Sequence, residues 1–305
     1  MNTILNPLYN LVSGVIIIFH KLLTPVFGKD SGVTWALSIM GLVVLIRIIL
    51  IPLFVKQIKS QRALTALQPQ MKAIQAKYKD DRQKQSEEMM KLYKEHKTNP
   101  LASCFPIIAQ APIFFSLFTV LNGIAKNVPH GYLKGEYLAS AAQAKFFGAS
   151  ISQSFLGSSD TTVKIVTVIL IFIMSATTFT TQRQLMVKGM PKMDSSNNMM
   201  LQQQKIMLYL FPVIFAISGV NFPVGVLIYW STTNLWTWGQ QFYVIKRNPT
   251  PGSPAYEELQ RKRAHKAKLD AKSSDGNTDI ESTEEQSPEI QGQRQQPKKK
   301  KKKKK

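Results

Sequence analysis

One arginine stands inside a run that is otherwise apolar. Arg47 falls in the segment Val33–Phe54, eight residues before Val55, which puts it about 12 Å inside a helix that ends there. Arginine at that depth is costly in hydrocarbon and faces a bundle interior or a watery cavity. The plainer reading is that its long stem snorkels to the nearer surface. Other polar residues sit at comparable depth in later apolar runs: Gln110, the cluster Ser231, Thr232, Thr233 and Asn234, and the group Ser175, Thr177 and Thr178. Each alone is explained by an interhelical hydrogen bond. Together they predict a hydrated cavity in the inner leaflet, closed on the outer side by apolar residues. No Asp or Glu falls in these runs, so the charge of Arg47 is left for water or a visiting polar segment.

Bond-making chemistry is not foreseen. His20, His96, His130 and His265 are scattered without metal-ligand spacing. The chain carries no nucleophile elbow, Walker loop or zinc-protease motif. No enzyme activity, cofactor or metal is therefore expected. Missing intramembrane carboxylates also argue against a proton pump or cation transporter. The single cysteine, Cys104, rules out an internal disulfide and reads as a small apolar filler near a helix start.

The elements that would position these residues are membrane helices. Five apolar runs, about 33–54, 102–124, 162–180, 206–221 and 222–244, approach or exceed the length that crosses a bilayer, about 20 residues. The last two join tightly through Asn221, Phe222 and Pro223. Residues 4–27 are apolar but interrupted by Asn6, Pro7, Asn10, His20 and Lys21, the pattern of an amphipathic helix lying in the interface; a sixth span is the alternative. No basic residue precedes the apolar run Val12–Phe19, so no secretory signal peptide is expected. The fold class is thus an all-α integral membrane protein: a five-helix core over 33–247, preceded by an N-terminal interfacial helix within 1–32.

Charge sets the expected orientation. The formal net charge is +21 over 305 residues. Segment 55–101 holds 11 Lys and Arg, segment 181–205 holds Arg183, Lys188, Lys192 and Lys205, and residues 246–305 hold 17 against 9 acidic residues. Basic loops stay in the cytoplasm, which puts the N-terminus outside and the C-terminus inside.

Segment 55–101 is more than a loop. Leu64, Leu67, Met71, Ile74 and Tyr78 recur at helical spacing, Asp80 and Asp81 mark a turn, and Met89, Met90 and Tyr93 line a return helix. Thr98, Asn99 and Pro100 end it. The result is a cytoplasmic helical hairpin with Lys72, Lys79 and Lys84 on its exposed side; a solvated spacer is the plainer version. Residues 248–305 cannot bury a core and are expected to be disordered alone, apart from a helix-like stretch Glu257–Lys272. They end in Lys298–Lys305. Within that run Lys298, Lys300, Lys302 and Lys305 are candidate contacts to ribosomal RNA or anionic lipid.

Three stretches carry a family resemblance: LVVLIRIILIPL around Arg47, KYKDDRQKQSEEMMKLYKEHKTNPLASCFPIIAQAPIFFSLF, and NFPVGVLIYWSTTNLWTWGQQ. They resemble, in order, the first core span, the hairpin with the second span, and the last span of the YidC/Oxa/Alb membrane insertases. The likeness extends over residues 5–247. It implies a positively charged groove open to cytoplasm and lipid, with Arg47 as its arginine and Tyr229 and Trp230 as the aromatic pair along which a substrate helix slides. Only 32 residues precede the first clear span, as in the compact bacterial form without a large extracytoplasmic domain, and no lipobox is present. The expected activity is insertion and folding of newly made membrane proteins, alone or beside a Sec-type translocon, with the ribosome and anionic lipids as further partners. A small-solute channel or secondary transporter, and a scaffold that only docks ribosomes, are the competing readings.

Overall fold

A computed structural model describes residues 2–96, 98, 105–189 and 199–274. Ten helices and one two-residue-per-strand hairpin account for them: α1 (Asn2–Phe27), α2 (Gly32–Ile49), α3 (Ile51–Lys77), α4 (Arg82–Glu95), α5 (Phe105–Lys126), α6 (Glu136–Gln143), β1 (Lys145–Phe146), β2 (Ala149–Ser150), α7 (Thr161–Gln184), α8 (Met199–Gly219), α9 (Val224–Arg247) and α10 (Pro254–Ser274). Cys104, Asn99, Pro100 and the lysine run lie outside the described residues. Residues through Arg261 form one compact unit and those from Lys262 another.

Local chemistry starts the helices. Ser31 accepts from Val33 N at 3.2 Å and Asp160 from Thr162 N at 2.8 Å, each satisfying a donor left free in a first turn. The hairpin turn is closed the same way, with Asp81 accepting from Lys84 N at 2.9 Å. Helix α9 begins at Pro223 without a side-chain cap. Its first N–H groups, Val224 and Gly225, donate instead to the carbonyls of Gln153 and Ile151 at 2.9 and 2.8 Å.

The core is built from one-sided stripes around α9. On α2, Trp35, Ile39, Leu42 and Val43 are buried, and on α7 Val163, Val166, Leu170 and Met174. The opposite faces are apolar too. Ile165, Val168, Ile169 and Phe172 on α7 and Ile206, Tyr209, Leu210, Val213 and Ile217 on α8 are all exposed. Apolar stripes of this length facing outward suit hydrocarbon, not water.

Among the described residues three helices are long and apolar enough to cross a membrane, Leu5–Phe27, Gly32–Ile49 and Thr161–Gly189, and Leu208–Gly219 is a shorter apolar helix. Two differences from the sequence reading stand out. The first run is divided between two helices: α2 stops at Ile49, Leu50 joins it to α3 with its backbone still in the αR region, and α3 opens with Pro52 near its start. Proline cannot donate to the fourth carbonyl back and crowds it. Second, residues 5–27 qualify as a span by length and apolarity, although the interruptions suggested an interfacial helix.

The contacts of α1 locate it further. Tyr132 N donates to Ser13 Oγ at 2.8 Å, and the His130 ring lies 5.4 Å from Tyr9, so the N-terminal half touches the segment just after α5. Near its other end, His20 Nε2 is 2.8 Å from Lys29 O, and its ring is 4.2 Å from Trp35 and 5.8 Å from Tyr137 of α6. Both halves therefore meet the same end of the bundle, where α2 begins and α5 finishes. The α5–α7 connection covers this end, which we term the capped end: Ile151 N bonds Ala144 O at 3.0 Å and Leu156 N bonds Val220 O at 3.2 Å.

The opposite, hairpin end carries α3 and α4. Leu67 and Leu92 are buried between them, Tyr93 Oη reaches Met71 Sδ at 3.8 Å, and His96 Nε2 lies 3.2 Å from Gln70 Oε1. Lys72, Lys79 and Lys84 are exposed, as is Met90, while Ile74, Tyr78 and Met89 are half-buried. Part of the segment expected to be disordered is helical: α10 extends the helix-like stretch by three residues at its start and two at its end. Acidic Glu257 and Glu258 fall in its first turns and Lys and Arg follow, the order that suits a helix dipole and i to i+4 pairing.

Candidate substrate groove

Helices α5, α8 and α9 leave a cavity of about 350 Å³ between them, lined by Gln110, Tyr229, Trp230, Thr233 and Asn234 together with Phe114, Phe115 and Phe215. A second cavity of about 200 Å³ adjoins it, sharing Phe215 and Asn234 and adding Thr178, Thr181, Gln182 and Thr237. Six of the eight groove residues named from sequence are thus brought together: Gln110, Tyr229, Trp230, Thr233 and Asn234 in one cavity, and Thr178 in the next.

The remaining two are placed otherwise. Ser175 donates to the carbonyl of Pro212 at 3.3 Å, so it is a tie between α7 and α8. Arg47 occupies the last turn of α2, 8% exposed, with its guanidinium carbon 5.4 Å from the centre of the Phe54 ring. Arg47 is two residues from the end of α2, and the ring of Phe54, in the first turn of α3, lies against it. Tyr229 stands near it, and it takes part in no ion pair among the described residues. Ser231, part of the polar cluster, is also a tie, donating to Leu170 O at 3.4 Å. Thr177 and Thr232 bond back to carbonyls of their own helices, Ile173 O and Ile228 O.

Aromatic rings dominate the wall. Trp230 stacks on Phe114 with centroids 6.1 Å apart and meets Phe222 edge-on at 4.9 Å and Phe215 at 6.1 Å. Phe114, Phe215 and Phe222 were not singled out in the sequence. The i to i+4 repeats Phe114–Phe118 and Phe211–Phe215 were the available signal, but aromatic repeats inside apolar helices are the ordinary composition of a core. Polar capacity is left over. Thr178 Oγ1 is enclosed without a hydrogen-bond partner, and Thr233 Oγ1 lies near the Tyr229 hydroxyl without completing a bond.

The capped end is bound tightly. Trp35 Nε1 donates to Ser140 Oγ at 3.1 Å, and Ser140 Oγ donates to Lys29 O at 3.3 Å. Lys29 Nζ is 2.8 Å from Glu136 Oε2. That hydrogen bond and the ammonium charge hold the Glu136 carboxyl below the usual carboxylate range, and Glu136 raises Lys29 in turn. Burial lowers His130. Among the described residues no group of His, Cys, Asp and Glu is placed to hold a metal.

These features define a helical membrane protein with outward apolar stripes, one closely bonded end and a polar-aromatic cavity between three helices. Residues 26–251 match the family model of the 60Kd inner membrane protein. The chain is 54% identical over 270 residues to the membrane protein insertase YidC of Streptomyces avermitilis, covering 84% of this chain and 63% of that protein. It is 37% identical over 280 residues to the YidC insertase of Tropheryma whipplei, 86% of this chain and 90% of that one, and 31% identical over 285 residues to the one of Mycobacterium tuberculosis, 85% and 78%. The chain belongs to the YidC family of membrane protein insertases and is a multi-pass protein of the bacterial cell membrane. Insertases relocate chains without making or breaking covalent bonds, so the family is not one of enzymes.

Proposed function

We propose that this chain inserts and folds newly made membrane proteins through the cavity between α5, α8 and α9. The observation that carries the reading is the company of Tyr229: a polar-aromatic cavity on one side and the buried, unpaired Arg47 on the other. A polar terminus crossing lipid costs several kcal/mol per unsatisfied group. A hydrated groove with spare hydroxyls at Thr178 and Thr233 and a positive charge shortens that path. Hydrophobic transfer of the guest's apolar segment into lipid then drives the step without nucleotide hydrolysis. The core that does this comprises α2, α5, α7, α8 and α9, with α1 lying across their capped ends.

The groove opens to the cytoplasm and to lipid, and the capped end faces outside, so the hairpin and the C-terminus are cytoplasmic. Lys72, Tyr78, Lys79, Lys84, Met90 and Tyr93 form the hairpin face that meets arriving chains or a neighbouring Sec-type translocon. The terminal lysines engage the ribosome. A small-solute channel or secondary transporter is disfavoured, because the covered capped end supports access from one side only.

Reconstitution tests the activity. Purified protein in liposomes should insert a small single-span substrate without a Sec channel, scored by protease protection of its outer terminus; protection equal to that in empty liposomes would remove the proposal. Cysteine tags at Ser86 and Ser150 in a Cys104→Ser background test the orientation. Ser86 should label only from the cytoplasm and Ser150 only from outside, and the reverse would invert it.

A further inference from the structure

A second groove lies at the hairpin end between the start of α3 and the second half of α9, with Phe54, the ring against Arg47, in its wall. Its volume is about 530 Å³, and its lining includes Val55 and Ile58 from α3 and Leu235, Gly239, Gln240 and Tyr243 from α9. That volume falls within the usual range for small-ligand sites, about 300–1,000 Å³. Val55, Leu235 and Tyr243 are each 45% exposed or more, so the groove opens sideways.

Its floor is Gly239, in the middle of a 24-residue helix. A Cβ placed there would touch nothing within 4 Å. Glycine inside a helix is about 1 kcal/mol less favourable than alanine, and no neighbour in the fold requires it here. A larger residue at this position would fill the groove and nothing else.

Two features define the guest. The lining rows of α9 advance in steps of three and four, Gly239 to Tyr243 to Lys246 and Arg247. Both basic residues are exposed at the mouth, and neither takes part in a salt bridge among the described residues. Above them the wall is apolar except for Gln240, whose Oε1 already accepts from Trp236 Nε1 at 3.0 Å. Exposed Trp238, Phe242 and Tyr243 stand at the same level, the ring belt of a membrane interface. A cationic mouth over an apolar slot complements an anionic head with an acyl tail.

We propose that this groove holds one acyl chain of an anionic glycerophospholipid whose phosphate is gripped by Lys246 and Arg247. The groove adjoins the insertion path at Phe54, but its test does not require insertion. The full-length protein in detergent is mixed with equal phosphatidylglycerol and phosphatidylcholine, and retained lipid is counted by native mass spectrometry. Wild type and Gly239→Ala should keep one phosphatidylglycerol in preference to phosphatidylcholine. Gly239→Phe should lose retention of both. A double Lys246→Gln, Arg247→Gln variant should lose the preference, at about fivefold per charge. Equal retention of the two lipids by wild type, or unchanged retention by the charge variant, overturns the proposal. So does full retention by a folded Gly239→Phe. If Gly239→Phe does not fold, the charge variant decides alone.

Discussion

The Arg47 guanidinium lies over the ring of Phe54, 5.4 Å from its centre. Seven residues separate the two, about two helical turns, so they share one face of the chain through Leu50, whose backbone stays in the helical region. Arg47 is thereby walled by α3 on one side and Tyr229 on the other. A guest's polar segment would be the partner for this charge. We expect Arg47→Ala to impair insertion of single-span substrates with acidic outer termini and Arg47→Lys to keep much of it, because a positive charge matters more there than a guanidinium fork. Protease protection of the substrate terminus in proteoliposomes checks this; undiminished insertion by the alanine variant would make the charge dispensable.

The hairpin offers a second test. Ile74 sits half-buried on α3, near the turn where α3 and α4 meet. Proline in a helix interior costs about 3 kcal/mol, although α3 already accommodates Pro69. Ile74→Pro is expected to loosen the hairpin and reduce insertion while the membrane-embedded helices remain intact by circular dichroism. Normal insertion by this variant would reduce the hairpin to a spacer.

The basic segment after α9 should tether the ribosome. Removing residues 248–305 is expected to weaken salt-sensitive co-sedimentation with ribosomes, since neutralised phosphates release counterions. Post-translational insertion of small substrates should survive, because tethering raises effective concentration without altering the groove. Ribosome binding that persists after truncation would leave the lipid surface as the partner of the lysines.

Stability should depend strongly on the capped end. Trp35 is fully buried, lies tilted against the His20 ring with centroids 4.2 Å apart and donates to Ser140 Oγ at 3.1 Å. Removing a buried tryptophan side chain costs about 3–5 kcal/mol, so Trp35→Ala should lower the thermal unfolding midpoint in detergent by many degrees. Ser140→Ala should cost much less, about 1 kcal/mol. Scanning calorimetry or tryptophan-independent melting by circular dichroism distinguishes the two. A Trp35→Ala midpoint equal to that of wild type would mean that the cap does not hold the bundle together.

Hydropathy and charge in the chain determined a great deal by themselves. Long apolar runs without carboxylates have one environment in which they are stable, and this fixed an all-helical membrane protein. The spacing of Leu67, Met71, Ile74 and Tyr93 fixed the hairpin, because side chains three and four apart share a helix face. The polar cluster from Ser231 to Asn234 also marked the helix that carries the groove. Which of its members face the cavity was not legible. Ser231 ties α9 to α7, Thr232 bonds its own helix, and Thr233 and Asn234 line the cavity. A step of about 100° per residue sends neighbours to different partners, and only packing determines which partner each finds. The same limit applies to Arg47, Ser175 and α1. Pro52 was visible, but that Phe54 would lie against Arg47, and Tyr229 of α9 stand nearby, depended on the packing of α9 beside α2. The interruptions in α1 were visible too, but the contacts of His20 with Tyr137 and of Ser13 with Tyr132 are relations between segments more than 100 residues apart. No local pattern encodes such a pairing; it is decided when the apolar stripes of all the helices are buried at once.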